Sequence, residues 1–468
     1  VKPKIGFGKG AKPTSLKVSR VERTFSFSFP RFFKLRFPPA PSIGFIENAS
    51  ARGRRLRILK HFREKAVYRF LTRMPNCLYA IYGVRQETVV ELIEAYVSIY
   101  ETLVADKGEA FAVDFLKKVH GVSLRHAANS TFELIPFAAL DEFGIPIRFD
   151  KFTPWLRGSL DERRASLCIL SLFKMILVAG PSPSINSITD KFEPPLDLKR
   201  NLIGEFVTES CRVNSKDPAI TPTRIRVKFR EVLEEMFPRN RSRNRLKQIG
   251  SARKIHVSSR GGPNGPAIGT AAVDLLALQN SMDLLDPIRK LASLTGHVDL
   301  LELLASDPSS DFTLSNEIGK SPLHSRLSIK IEAGAKTRFF AICDYYTQSV
   351  LKGFHDWTFQ YLAKLQEDGT KSQDTVCSIV KEWTASALSK GVEVYSTDLS
   401  KATDRLPALL QREIVWQMAG KEFADLWYTI ITQRSFQLPN SPDSVKFEVG
   451  QPLGAYSSWA MLAVTHHV

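Results

Sequence analysis

The stretch Ser396–Pro407, STDLSKATDRLP, carries two aspartates, Asp398 and Asp404, parted by a small polar run and followed by Arg405 and a proline. The residues leading into it, VEVYSTD, alternate and are β-branched, which predicts a strand ending at Asp398. LSKATDRLPALLQREIVWQMAG then predicts a turn and a helix that stops near Gly420. A carboxylate at the carboxyl end of a strand projects into the cleft above a sheet. That place suits a hard cation such as Mg2+, which takes one or two carboxylates together with phosphate oxygens. Phosphoryl transfer over two ions needs such an aspartate and a second acid from elsewhere in the chain. Asp404 is too far along to be an automatic ligand, but a carboxylate is an acceptor and can take a hydrogen bond from a ribose hydroxyl. The same spacing also fits a plain helix cap at Asp398 and a first-turn acid at Asp404 that complements the helix dipole.

Working outward, GQPLGAYSSWAMLAVTHH at Gly450–His467 places three small or rigid residues, Gly450, Pro452 and Gly454, ahead of Ser457, Ser458 and an apolar helix. A Gly-Ser loop that opens a helix can bring backbone N–H groups and hydroxyls against a sugar or phosphate. His466 and His467 have no partnering Cys or His cluster, which argues against a zinc site. Upstream, RLSIKIEAGAKTRFFAICD predicts two short strands joined by the turn EAGA. Alternation puts Lys336 and Arg338 on one face, with Lys330 near the end of the first strand. Three such cations can grip a triphosphate, and they can equally sit idle on a surface. DYYTQSVLKGFHDWTFQYLAKLQEDGT predicts a helix of about five turns whose aromatics, Tyr345, Trp357, Phe359 and Tyr361, belong to a core rather than to base-stacking platforms.

Across its 468 residues the chain holds 65 Lys and Arg against 48 Asp and Glu, a net charge of +17. An excess of that size points to a polyanionic partner, nucleic acid or an anionic membrane. Five cysteines without a CxxC pair argue against a disulfide framework and fit a reducing compartment. The most apolar run, LCILSLFKMILVAG, is too short and too interrupted to span a bilayer. The organisation expected is a basic, poorly ordered arm over 1–60, a helical region over 61–237, a basic Gly/Pro linker over 238–270, and two further parts over 271–390 and 391–468. The arm also has the composition of a transit peptide. Within the linker, Arg239, Arg241, Arg243 and Arg245 stand in a run free of acids, which reads as solvated surface or as an RNA contact.

Taken in order, the basic hairpin, DLSKATDR and GQPLGAYSSWAMLAVTHH resemble the RNA-dependent RNA polymerases of mitoviruses, in the narnavirus-like group. RLSIKIEAGAKTRFFAICDYYTQ is similar to their motif F, STDLSKATDRLP to motif A, GQPLGAYSSWA to motif B, and GGPNGP and DGT to elements lying before motif A. The resemblance covers Arg260–Val468. It implies a helix-rich α+β fold, the fingers of a right-hand polymerase and a palm whose antiparallel sheet is flanked by helices. It implies genome replication by nucleotidyl transfer, with an RNA template and NTPs as partners and Mg2+ or Mn2+ as cofactor. By the same resemblance Asp398 is a metal ligand and Asp404 helps select the ribose 2′-OH. Gly454, Ser457 and Ser458 support the nascent pair, and Lys330, Lys336 and Arg338 line the nucleotide entry channel. The family replicates in mitochondria, with the cytoplasm as the alternative. The family's motif C, a Gly-Asp-Asp, is expected to follow motif B and does not occur in this sequence. The expectation is a partial polymerase lacking motif C and the thumb and inactive alone, or one completed by a second chain, or a remnant. A reverse transcriptase shares the palm logic but places a bulky aromatic where Asp404 stands. A non-catalytic RNA-binding protein would use the arginine cluster and have no need of Asp398.

Overall fold

Val89, Leu92, Ile93, Tyr96, Val97, Tyr100 and Leu103 recur at helical spacing, and all are buried on one face of a helix. In the computed structural model the residues described are 65–128, 138–191, 222–253, 258–308, 321–392, 399 and 401–468. The chain divides into two units, Val1–Glu47 and Asn48–Val468, and every described residue lies in the second.

Three helices, α1 (Lys65–Tyr82), α2 (Gln86–Lys107) and α3 (Glu109–Ala127), pack with the short α4 (Thr153–Arg157) and with α5 (Leu160–Leu170). Their core includes Tyr96, Leu116, Phe149, Phe152 and Ile169. Gly108, at φ 85°, ends α2 and opens α3, a backbone turn that a residue with a Cβ resists. A capping box starts α5: the Ser159 hydroxyl accepts from Glu162 N–H, and the Glu162 carboxylate accepts from Ser159 N–H. The apolar run that follows does not continue as one helix. It tightens into a 3-10 turn at Ser171–Met175. Among the described residues no helix is long and apolar enough to cross a membrane. A four-residue helix, α6 (Asn186–Thr189), comes next.

The second core is built by α7 (Pro222–Met236), α8 (Ser242–Ser251), α9 (Ala271–Gln279), α10 (Met282–Leu294), α11 (Val298–Ala305) and α12 (Tyr345–Leu362). Later helices join it: α15 (Ala408–Ala419), α16 (Lys421–Thr432) and α17 (Ser458–His467). Two more, α13 (Gln373–Ser389) and α14 (Ala402–Arg405), lie between them in sequence. Tyr345 and Trp357 are buried on α12, with Phe359 and Tyr361 partly buried beside them. Asp344 caps that helix by accepting from Thr347 N–H at 2.7 Å.

Where a linker was expected, Ser242–Ser251 is a helix. Ile249 and Arg245 share its inward face. Arg245 is buried, and its guanidinium donates to the carbonyls of Met418 (2.7 Å), Gln417 (2.8 Å) and Pro238 (2.9 Å). It therefore satisfies orphan carbonyls at the end of α15 instead of facing solvent, which differs from the RNA contact expected of it. GGPNGP is a tight loop, as its composition suggests. Asn264 fixes it by donating to Asp274 Oδ1 at 2.6 Å and to the Leu323 carbonyl at 2.8 Å.

The sheet has four strands in the order β2-β1-β3-β4: β1 (Ser325–Glu332), β2 (Lys336–Cys343), β3 (Phe436–Gln437) and β4 (Ser444–Val445). β1 and β2 form the expected antiparallel hairpin, with Lys330 opposite Arg338 and Glu332 opposite Lys336. β1 meets β3 in parallel through Arg326 and Gln437, so the sheet is mixed where an antiparallel one was expected. The strand read from VEVYSTD lies outside the described residues. The hairpin's tip rests on the segment 176–180 that follows the N-terminal helices: Gly334 N–H donates to the Ile176 carbonyl at 3.0 Å, and Thr337 Oγ1 donates to the Gly180 carbonyl at 3.2 Å.

Candidate active site

The loop Gly450–Ser458 lies between the hairpin and α14. On one side Ala341 N–H of β2 donates to the Leu453 carbonyl at 2.7 Å. On the other, Gly450 N–H donates to the Asp404 carbonyl at 3.0 Å and Gln451 N–H to the Thr403 carbonyl at 2.8 Å. Three segments far apart in sequence thus meet at one place. Two glycines make the approach possible. A Cβ on Gly450 would fall 2.2 Å from the Thr403 oxygen, and one on Gly454 would fall 2.2 Å from the Ala341 oxygen. Gly454 also sits at φ 124°, outside the range of ordinary side chains.

A small core lies beneath this junction: Ile188, Leu327, Ala341, Cys343, Phe436, Phe447 and Ala455. Helix α12 holds the loop from another side. Gln348 reads both polarities of its backbone, donating to the Gly454 carbonyl at 3.0 Å and accepting from Tyr456 N–H at 2.9 Å. His355 Nδ1 accepts from Ser457 N–H at 3.2 Å. Burial pulls that imidazole down to about 4, helped by the nearby Lys352 charge, so it is neutral at pH 7 and able to accept.

Ser457 and Ser458, expected to support a nucleotide, are both buried. Ser457 Oγ accepts from Trp427 Nε1 at 2.8 Å, while Ser458 Oγ is buried with no hydrogen-bond partner among the described residues. Ser457 sits at φ 70°, a left-handed turn that starts α17.

On the hairpin Lys330, Lys336 and Arg338 share a face, and so does Glu332, which the sequence reading passed over although the same alternation places it there. Glu332 pairs with Lys330 at 3.5 Å and with Arg338 at 3.3 Å. These are half-exposed pairs worth little on their own. Their effect is to leave two of the three cations engaged by one carboxylate. Lys336 is exposed beside them.

Asp404 is half-buried on α14. Burial raises its carboxyl above the usual range, opposed by a hydrogen bond from Ser187 and by the charges of Lys401, Arg405 and Arg338. Ser187 Oγ donates to Asp404 Oδ2 at 2.9 Å. Arg338 and Asp404 are thereby neighbours in charge, across 66 positions of sequence (404 − 338). Asp398 lies outside the described residues. Among the described residues no three of His, Cys, Asp or Glu converge as a metal site. Asp404 has cations rather than a second acid around it, so the described side chains do not by themselves hold a divalent ion. Arg241 and Arg243 are exposed, and Arg239 is exposed but donates through Nε to Gln417 Oε1 at 2.7 Å.

A second buried cluster adjoins the base of the hairpin. Arg434 Nη1 meets Asp344 Oδ2 at 2.8 Å, with both side chains fully buried, and also donates to Ser325 Oγ at 2.7 Å. Asp274 accepts from Tyr345 N–H at 2.9 Å. Burial, reinforced by the Asp344 charge, pushes Asp274 up to about 7.

No solved structure gives a significant match to the chain. Over 386 residues the chain is 26% identical to an RNA-directed RNA polymerase of Cryphonectria parasitica mitovirus 1, an alignment spanning 77% of this chain and 42% of that protein. Over 78 residues it is 37% identical to an uncharacterized mitochondrial protein of Arabidopsis thaliana, covering 16% of this chain and 31% of that protein. The chain therefore spans less than half the length of these curated relatives. Residues 249–468, which carry the hairpin, α14 and the loop between them, match the family model of the mitovirus RNA-dependent RNA polymerases.

Proposed function

We propose that this chain is the fingers and part of the palm of a viral RNA-dependent RNA polymerase, and that the junction of hairpin, α14 and loop receives an incoming ribonucleoside triphosphate. The observation that carries the reading is the loop Gly450–Ser458, hydrogen-bonded to β2 on one side and to α14 on the other. This brings the cationic face of the hairpin beside a carboxylate. The triphosphate takes Lys330, Lys336 and Arg338, displacing Glu332 from two of them. Asp404 accepts from the ribose 2′-OH. Gly454 lets the loop lie against β2, Ser457 holds its shape from within through Trp427, and the buried Ser458 begins the helix behind it. A divalent ion, Mg2+ or Mn2+, would be held by Asp398 together with groups outside the described residues, and would supply electrostatic stabilisation of the transferring phosphoryl group. Arg241 and Arg243, with Arg239 beside them, are the candidates for RNA backbone contact. The family resemblance and the similarity to a plant mitochondrial protein support a mitochondrial site of action.

The test is nucleotide binding by the 468-residue chain, with GTP carrying a fluorophore on its γ-phosphate and Mg2+ present. Saturable binding that any NTP displaces, weakened about tenfold by Arg338→Ala, is the expected result, since one charge-assisted contact is worth roughly 1.5–3 kcal/mol. Binding of RNA with no detectable nucleotide binding would leave an RNA-binding remnant as the reading. An unchanged Kd in both Arg338→Ala and Asp404→Ala would remove the proposed site.

A further inference from the structure

The carboxylate proposed to sense the ribose is held by a residue from the other end of the described chain. Ser187, on α6, donates its hydroxyl proton to Asp404 Oδ2 at 2.9 Å, with the Ser184 carbonyl a second acceptor at 3.4 Å. Around it the segment 185–190 is fastened at three more points. Arg405 Nη1 donates to the Asp190 carbonyl. Glu448 N–H donates to the Ile188 carbonyl at 3.0 Å. The Ile188 side chain is buried with Leu327, Ala341, Phe436 and Phe447. Ser187 is therefore held in place by its surround, and of its two acceptors Asp404 Oδ2 is the nearer. Asp404 Oδ1 accepts no hydrogen bond among the described residues.

We propose that Ser187 is a specificity-determining positioning residue, fixing one oxygen of Asp404 so that the other faces the ribose 2′-OH. This rests on the reading of the site as a ribonucleotide site. It adds a residue outside 249–468, the stretch matched by the family. The physical argument has two parts. A carboxylate with one oxygen pinned has its rotation about χ2 stopped, so the remaining lone pairs keep one direction. The donated hydrogen bond also favours the ionised form against the burial that disfavours it. Lys401 and Arg405 on the same segment and Arg338 on β2 act in the same sense. Asp190 follows on the upstream segment, and His466 and His467 close α17 at its far end.

The experiment measures displacement of the γ-labelled GTP by GTP and by 2′-deoxy-GTP, in the 468-residue chain, between pH 5.5 and 8. The wild-type chain prefers GTP. Ser187→Ala should shrink the GTP-to-dGTP preference about 3- to 10-fold at pH 7, less than the roughly 10- to 150-fold that a whole hydrogen bond to a charged group is worth, because Ser187 acts on the ribose through Asp404. It should also move the pH at which preference fades upward, because removing the donor raises the carboxyl further. Ser187→Thr, which keeps the hydroxyl, should restore both. Ser187→Ala weakening GTP and dGTP equally, with no shift in the pH profile, would make Ser187 merely structural and overturn the inference. A preference unchanged in Ser187→Ala but lost in Asp404→Asn would overturn the inference and leave the ribonucleotide site standing. A preference intact in Asp404→Asn would refute the site and the inference together.

Discussion

Gly450→Ala should unlock the junction between α14 and the loop. The added Cβ would fall 2.2 Å from the Thr403 oxygen and 2.4 Å from the Asp404 carbonyl carbon and oxygen. That is about 1 Å inside an ordinary carbon–oxygen contact. The obstacles are main-chain atoms, which cannot swing aside as a side chain can. Relief requires α14 and the loop to part by about the same distance. Three hydrogen bonds hold that seam and its continuation into α15: Gly450 N–H to Asp404 O at 3.0 Å, Gln451 N–H to Thr403 O at 2.8 Å and Ala408 N–H to Val449 O at 2.8 Å. At a net ~1 kcal/mol each, with ~1–3 kcal/mol for overpacking, the loss is about 4–6 kcal/mol. Urea unfolding gives the stability. Amide hydrogen exchange gives the place, with protection lost first at Gly450, Gln451 and Ala408. The matched control is Gly121→Ala, in the interior of α3, where an added Cβ meets nothing within 4 Å. It should stabilise by about 0.5–1 kcal/mol through helix propensity. A Gly450→Ala protein within 1 kcal/mol of wild type, with those amides still protected, would refute the close approach.

Arg434→Met should cost roughly 3–5 kcal/mol in urea unfolding, because it leaves the buried Asp344 carboxylate without its ion-pair partner; a loss below 1 kcal/mol would deny the buried pair. Asp274, raised to about 7, gives a stability term that is whole below its unfolded value near 4 and is lost as pH rises through 7. Between pH 5 and pH 8 this amounts to about 2–3 kcal/mol, so the wild-type chain should lose stability more steeply over that interval than Asp274→Asn, and equal slopes would deny the shift. Trp427→Phe removes the hydrogen bond to Ser457 Oγ and should cost about 1–3 kcal/mol, the toll of a buried hydroxyl left unpaired, measured as the change in urea midpoint.

What the sequence made legible follows short-range periodicity. The hairpin at 325–343 and the helix at 345–362 stand where strand alternation and helical spacing put them. Alternation also set Lys336 and Arg338 on one face, and it would have placed Glu332 there had the acid been counted with the cations. The residues that escaped are long-range polar partners. Ser187, Asn264 and Arg434 carry no local pattern, because each finds its partner at least ten positions away and in three dimensions. Arg245 misled in another way. Arginine in an acid-free run reads as surface, yet two carbonyls at the end of α15 and that of Pro238 satisfy it inside the core. Helix 242–251 was hidden by the same polar composition. It is stabilised by packing of Ile249 and Leu246 rather than by its own propensity.

The bond between Ser187 and Asp404 closes a loop of 217 residues. The helices at 65–175 make contacts close in sequence and can fold as soon as they are synthesised. Segment 185–190 cannot finish with them, since its partners at Asp404, Arg405 and Glu448 have yet to be made. At roughly 5–20 residues per second, the wait for Asp404 to be translated is about 10–40 s. For that interval Ile188 lacks the Phe436 and Phe447 part of its core, and Ser187 lacks its carboxylate acceptor. The junction at Asp404 thus assembles after the helices at 65–175, and its upstream half spends part of synthesis as a ribosome-bound segment that a chaperone can hold.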